Sequence, residues 1–253
     1  KIALKDFQTG LSEAHYEMHG YRLENVFKQN ALIQQFADSI IKADAQASPF
    51  DRTPVVLLTT NHLKNTLTEA ALKMEETAFC NMMGVYDLRE FQHGYRSLIA
   101  DQTKITGEGD KQVSATLNTP VSIYVVPTLP KASTEPYQDS HDTTWNFIRL
   151  HFGLPPYTPP ETEKPFSTQK LFLIVNQPNG KTVDIPDDIQ KALPEGHILR
   201  VPAPEGEPLG EALNTLVLFQ LLSYHLAASK GLMKPGDPNV LNKVAPSTTS
   251  TKA

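Results

Sequence analysis

Hydrophobic residues fall along the chain in two patterns, continuous runs and helical stripes. Four runs lack alternation with polar residues, which predicts strands buried on both faces of a parallel sheet. They are VVLLTT at 55–60, PVSIYVVPT at 120–128, LFLIVNQ at 171–177 and HILRVP at 197–202. A short extended piece around Gly84-Val85-Tyr86 lies between the first two runs.

Three stretches repeat their apolar residues at helical spacing, which predicts helices. They are RLENVFKQNALIQQFADSIIKA at 22–43, LKNTLTEAALKMEETAFCNM after the first run, and GEALNTLVLFQLLSYHLAASKGL at 210–232. The last is apolar over most of its surface, so we expect a buried helix. Strands that alternate with helices predict an α/β fold, with an open parallel sheet of about five strands and helices on both faces.

Composition shifts divide the chain into three predicted parts. Residues 1–50 form an N-terminal helical segment, which is a linker or the end of a preceding half, and 51–245 form the α/β domain. The tail at 246–253, rich in Ser and Thr, is predicted to be disordered. Within the domain, the polar stretch 104–119 and the proline-rich stretch 129–168 are predicted insertions. Long loops of this kind are usually functional or mobile.

Charge and composition exclude several classes of function. The net charge is −5 and no basic run occurs, so we expect no nucleic-acid partner. The longest apolar runs, of about eight residues, are too short to span a membrane, so we expect no membrane partner. The single cysteine, Cys80, excludes an internal disulfide and a Cys-based zinc cluster and suits a cytoplasmic location. The 8 histidines show no metal-ligand spacing, and we predict no metal site.

Glu69, Lys73 and Glu76 share one face of the second predicted helix, at positions i, i+4 and i+7. Such a stripe is usually a solvated face of weak ion pairs. The helix directly follows a buried strand, however, so its N-terminal end lies at the carboxyl edge of the sheet, where open α/β folds bind ligands. A carboxylate one turn from a lysine is also a plausible base beside a carbonyl group. Both interpretations stay open.

Hydroxyl groups cluster where the same helix is predicted to begin. Thr59, Thr60 and Asn61 follow the first strand, and donors at a helix N-terminus can bind an anion. With Glu69 they are our candidate substrate-binding residues.

Four motifs, in this order, resemble the sugar-isomerase (SIS) family. The closest likeness is to the second SIS half in the isomerase part of glutamine–fructose-6-phosphate amidotransferase (glucosamine-6-phosphate synthase). The motifs are EAALKMEE at 69–76, EFQHGY at 90–95, LLSYHLAASKGL at 221–232 and DPNVLNK at 237–243. The resemblance covers roughly residues 54 to 244 and implies a flavodoxin-like three-layer sandwich.

The resemblance also implies a reaction and roles for four residues. Glu76 falls on the base that moves a proton between C1 and C2 of an open-chain sugar phosphate, and Lys73 falls on the lysine beside it. His93 falls on the histidine of ring opening, which in the family reaches a site in a neighbouring subunit, and Lys243 falls on the lysine that approaches the carbonyl. The implied activity is a phosphosugar aldose–ketose isomerase, or the isomerase half of an aminosugar-phosphate synthase. It needs no cofactor, and it implies a homodimer or pairing with another SIS half.

Several loops depart from the family pattern. Tyr95 stands where the family has proline, Ala70 where it has glycine, and the positions of its Q-P-R-N loop read Asp237-Pro238-Asn239-Val240. The S-x-S-G-x-T turn, which holds phosphate in the family's first half, is absent from the sequence. We therefore expect the phosphate donors to come from an upstream half or a partner chain. The departures also keep an alternative open, a non-catalytic SIS-type module for sugar-phosphate binding, regulation or dimerisation.

Overall fold

The computed structural model describes most of the chain, and the structural statements below concern only the residues it describes. These are 24–44, 54–59, 63–91, 102–106, 113–117, 120–128, 141–156, 168–178, 182–204 and 208–232.

Five strands form one parallel sheet, and two more pair as an antiparallel hairpin. In chain order the strands are β1 (Pro54–Thr59), β2 (Asn81–Asp87), β3 (Gln102–Thr106), β4 (Val113–Leu117), β5 (Val121–Val126), β6 (Leu171–Pro178) and β7 (Ile198–Ala203). The sheet order is β2-β1-β5-β6-β7, with every neighbouring pair parallel. The prediction of an α/β fold with a parallel sheet of about five strands is confirmed.

Helices cover both faces of this sheet. They are α1 (Asn30–Ala43), α2 (Lys64–Ala78), α3 (Leu88–Phe91), α4 (His141–Phe152), α5 (Asp187–Ala192) and α6 (Pro208–Ser229). Side chains of α1, α2 and α6 share one buried cluster with the sheet, and those of α3, α4 and α5 share the other. The two clusters make the molecule a three-layer sandwich.

Successive residues of the central strands enter opposite clusters, because side chains alternate across a strand. Val55 and Leu57 of β1 belong to the first cluster, and Val56 and Leu58 belong to the second. Both faces are therefore apolar, which explains why these strands read as continuous runs. In the first cluster the rings of Phe36 on α1 and of Phe172 on β6 meet edge to face, with centroids 5.4 Å apart.

The strand order fixes where the winding of the chain reverses. From β1 the chain moves outward to β2, and it then returns to the other side of β1 and continues through β5, β6 and β7. This is the flavodoxin-like order, with its switch point between β1 and β5. Ligands of open α/β sheets bind at the carboxyl ends of the strands beside such a point.

Both stretches predicted as insertions contain regular structure. The polar stretch 104–119 holds β4 and the end of β3, and the proline-rich stretch 129–168 holds α4. VSATL in β4 alternates apolar and polar residues, which is the signature of a strand. The polar composition of the surrounding stretch conceals this short pattern. The helix α1, from the segment predicted to end at residue 50, packs into the first cluster of the domain. The domain boundary there stays a prediction.

The first cluster should contribute strongly to the stability of the fold. Phe172 is fully buried, whereas Phe27 is 55% exposed. We expect Phe172→Ala to lower the free energy of unfolding by about 3–5 kcal/mol, because it removes a ring and leaves a cavity. The matched change Phe27→Ala should stay within about 0.5 kcal/mol. Urea denaturation of both variants measures the difference, and equal losses would contradict this core.

A buried histidine should make the fold sensitive to mild acid. The ring of His197 stacks on Phe172 with centroids 4.0 Å apart, its Nδ1 lies 2.9 Å from the Leu171 carbonyl oxygen, and burial lowers its pKa. Below the ordinary histidine pKa of 6.5, the unfolded chain takes up a proton that the folded chain resists. We therefore expect the melting temperature to fall as the pH drops from 7.5 to 5.5. The fall should be smaller in His197→Gln, and an identical fall would contradict this role.

Candidate functional site

The predicted stripe on α2 exists as two ion pairs that share one lysine. Lys73 Nζ lies 3.1 Å from Glu76 Oε2 and 3.3 Å from Glu69 Oε1. Hydrogen bonds to Glu76 and then to Glu69 raise the pKa of the Lys73 amine, so the side chain is an ammonium at neutral pH. The stripe can exist because the opposite face of α2 is apolar and anchors the helix. The buried residues there are Leu67, Ala70, Ala71, Met74 and Ala78.

The stripe runs away from the carboxyl edge of the sheet. The helix α2 begins there at Lys64, but Glu76 lies twelve residues later, about 18 Å along the helix axis. The side chains of Glu69, Lys73 and Glu76 are 48%, 31% and 41% exposed. The carboxyl-edge argument from the sequence therefore holds for the first turn of α2 and not for Glu76. A ligand at Glu76 has to be held by groups other than this edge.

The beginning of the EFQHG motif does lie at the carboxyl edge. Glu90 Oε1 accepts a hydrogen bond of 2.7 Å from Lys64 Nζ, and Glu90 Oε2 accepts one of 3.3 Å from the Asp87 N–H. These two bonds lower the pKa of the Glu90 carboxyl, with Lys64 the main cause. Phe91 is buried, and its ring centroid lies 5.8 Å from that of Phe147. The short helix α3 is thus held on one side by charge and on the other by packing.

Half of the residues predicted for the site lie outside the described residues. These are His93, Lys243, Thr60 and Asn61, and their roles stay predictions. Thr59 is described and buried at the end of β1, and its hydroxyl donates a hydrogen bond of 3.0 Å to the Val125 carbonyl oxygen. This bond joins β1 to β5 across the switch point.

A buried polar cluster at the same edge was not predicted. It consists of Glu211 and Thr215 on α6, Thr128 after β5, and Asn176 in β6. The signal was present in the sequence, since polar residues occur at i, i+3 and i+4 (Glu211, Asn214 and Thr215) in an otherwise apolar helix. The apolar surface identifies the helix, but the pattern assigns no role to these polar positions.

The described residues show neither a metal-ligand cluster nor a membrane-spanning helix. No three His, Cys, Asp or Glu side chains are grouped there as metal ligands would be. None of the described helices combines the length and the apolar character needed to cross a membrane.

Comparison with known proteins returns likeness to solved structures only. No family model and no curated protein matches the chain. The C-terminal domain of glucosamine-fructose-6-phosphate aminotransferase from Francisella tularensis is 16% identical with a TM-score of 0.49, over 85% of this chain and 44% of that chain. Tagatose-6-phosphate ketose/aldose isomerase from Escherichia coli is 15% identical with a TM-score of 0.42, over 78% of this chain and 39% of that chain.

The chain thus spans less than half the length of both solved structures. Both proteins belong to the sugar-isomerase group that the sequence motifs resemble. Both likenesses lie below the level at which structural similarity indicates a shared function.

The stripe should contribute little to stability. Exposed ion pairs are worth about 0–1 kcal/mol, so Glu76→Gln and Lys73→Met should each change the free energy of unfolding by less than about 1 kcal/mol. Met74→Ala, on the buried side of the same helix, should cost about 2–5 kcal/mol. Denaturation curves of the three variants give the comparison. A large loss from Glu76→Gln would indicate that this carboxylate has a structural task.

Proposed function

We propose that the chain is one SIS half of a phosphosugar aldose–ketose isomerase, or of the isomerase part of an aminosugar-phosphate synthase. The reaction is proton transfer between C1 and C2 of an open-chain sugar phosphate. The observation that carries the proposal is the contact of Lys73 with Glu76 and Glu69 on one open face of α2. This face presents the residues that the EAALKMEE motif assigns to the chemistry.

Glu76 is the proposed base, and the geometry suits it. Its carboxylate is accessible to a ligand and is held by the Lys73 ammonium at 3.1 Å. Moving a proton from the carbon next to a carbonyl places negative charge on the carbonyl oxygen, and a fixed cation nearby stabilises that charge. The raised pKa of Lys73 keeps this cation in place at neutral pH. His93 would assist ring opening and Lys243 would position the carbonyl, as the resemblance implies.

The site is proposed to be completed by a second SIS half. Glu76 is remote from the carboxyl edge of its own sheet, and its side chain points to the open side of α2. A sugar phosphate is a dianion, and its anchoring takes preorganised donors such as those of a helix N-terminus. Another SIS half, upstream of this one or in a partner chain, would supply them. A cytoplasmic location and a small-molecule sugar phosphate as ligand belong to the same proposal.

One observation favours the alternative, a binding or dimerisation module without turnover. The ion pairs of the stripe are i,i+3 and i,i+4 contacts between exposed side chains, which is the ordinary arrangement of a solvated helix face. In that case Glu76 would have no chemical task, and the stripe would serve only to face solvent or a partner half.

An isomerase assay separates the two proposals. Fructose 6-phosphate and glucosamine 6-phosphate are offered to this chain and to a longer form that carries whatever precedes Lys1. We expect turnover by the longer form only, because the phosphate donors lie elsewhere. Glu76→Gln in the longer form should lower kcat by about 10²–10⁴-fold, which is the usual contribution of a general base.

Glu75 offers a matched control on the same helix. It is exposed, is adjacent to Glu76 and lies off the stripe, so Glu75→Gln should retain full activity. Full activity of the short chain that is lost with Glu76→Gln would retain the enzyme and refute the shared site. Binding of the sugar phosphate without turnover by either form would support the module instead.

A further inference from the structure

A buried carboxylate lies at the carboxyl ends of β5 and β6, next to the place where this fold offers a crevice to a ligand. In an open α/β sheet the crevice lies at the carboxyl ends of the strands beside the switch point, here between β1 and β5. Thr128, in the segment that leaves β5, and Asn176, near the end of β6, provide hydrogen-bond donors at this edge. Both residues direct these donors to Glu211.

Glu211 lies in the first turn of α6 and is 1% exposed. Its Oε1 accepts the Thr128 N–H at 2.6 Å and the Asn176 amide at 2.8 Å. Its Oε2 accepts the Thr128 hydroxyl at 2.9 Å. These bonds join the carboxylate to a backbone N–H, a hydroxyl and an amide in the interior of the protein.

These are the donor types that proteins offer to bound oxyanions. Backbone N–H groups and hydroxyls at a helix N-terminus bind phosphates, sulfates and carboxylates, and the helix dipole favours a negative charge there. Glu211 lies in the first turn of α6, where the helix dipole favours a negative charge, and its backbone and hydroxyl donors come from Thr128, after β5, and its amide donor from Asn176 in β6. A second anion would find the donors occupied and would be repelled by the buried negative charge.

We propose that Glu211 is an internal anion that occupies the ligand crevice of this half and excludes a substrate's phosphate from it. The residue would thereby determine specificity, since the phosphate of a sugar phosphate has to bind outside this sheet. The inference rests on the proposed function in one respect, namely that the protein binds a sugar phosphate. It accounts for the absence of a phosphate turn from a chain whose carboxyl edge still carries oxyanion donors.

Removal of the Glu211 carboxylate should leave a site that binds a small anion in its position. In Glu211→Ala we expect the ratio of folded to unfolded protein to fall about a hundredfold or more, because three buried donors lose their acceptor. Sodium acetate at 100 mM should restore that ratio about tenfold relative to sodium chloride of equal ionic strength, for an acetate Kd of about 10 mM. Urea denaturation in the two salts measures both effects.

Three controls distinguish an anion site from a general salt effect. The wild type, Glu211→Gln, which retains a side chain in the crevice, and Glu195→Ala, which removes an exposed carboxylate, should respond equally to acetate and chloride. If Glu211 is purely structural, its substitution should lower the stability of the protein, and acetate should restore no more stability than chloride does. Equal behaviour of Glu211→Ala in the two salts would therefore overturn the proposal.

A measurement on the wild type does not depend on the folding of a variant. The Thr128 amide should be strongly protected from hydrogen exchange, and titration with inorganic phosphate should leave its NMR signal unmoved. A saturable shift of that signal would overturn the proposal, because it would show that phosphate enters the crevice beside Glu211. If Glu211→Ala stays unfolded in both salts, this titration decides. Neither experiment uses the isomerase assay. A failure of this inference can therefore be told apart from a failure of the proposed function.

Discussion

The fold depends on one constraint, the need to cover both faces of a parallel sheet. The five strands carry apolar side chains on both sides, so neither face can meet water, and helices have to close each of them. On one side α6 has to contact the sheet together with α1 and α2, which makes it apolar over most of its surface. On the other side the aromatic residues of α3 and α4 provide the cover. Among the described residues, the exposed faces of these helices are one surface that the core leaves available for function.

The strands and helices that this constraint imposes could be predicted from the sequence. The features that depend on polar residues and their contacts in space could not. Continuous runs such as VVLLTT identified the buried strands, since burial on two faces leaves a strong apolar signal. The strand β4 was missed because its apolar residues, Val113, Ala115 and Leu117, make only a short alternating pattern within a polar stretch. Glu211 was missed because a single carboxylate in a helix has no meaning until the strands that donate to it are placed in space. The pairing of Lys64 with Glu90, 26 residues apart, was invisible for the same reason.

The two acidic groups of greatest interest have opposite surroundings. Glu211 is buried at the carboxyl edge and is satisfied by donors from Thr128 and Asn176, whereas Glu76 is exposed on α2 and contacts only Lys73 among the bonds described above. A fully satisfied buried carboxylate fixes structure, while an exposed one can exchange its partner for a ligand. On the two proposals above, the usual ligand position of an α/β sheet would be closed by Glu211, and the chemistry would lie on the exposed face of α2. That division is what an assembly of two halves would require.

The position of α6 in the chain has a consequence for synthesis. The helix packs against α1 and α2 and over strands that begin at Pro54, yet it ends at Ser229, about 175 residues later along the chain. At about 5–20 residues per second, the ribosome needs roughly 10–35 s to deliver it after β1 has emerged. During that interval the apolar side chains of β1 and β5 on that face lack their central cover. The nascent chain therefore exposes one apolar face of the sheet. A chaperone that binds such surfaces would be of most use to this protein before residue 208 leaves the exit tunnel.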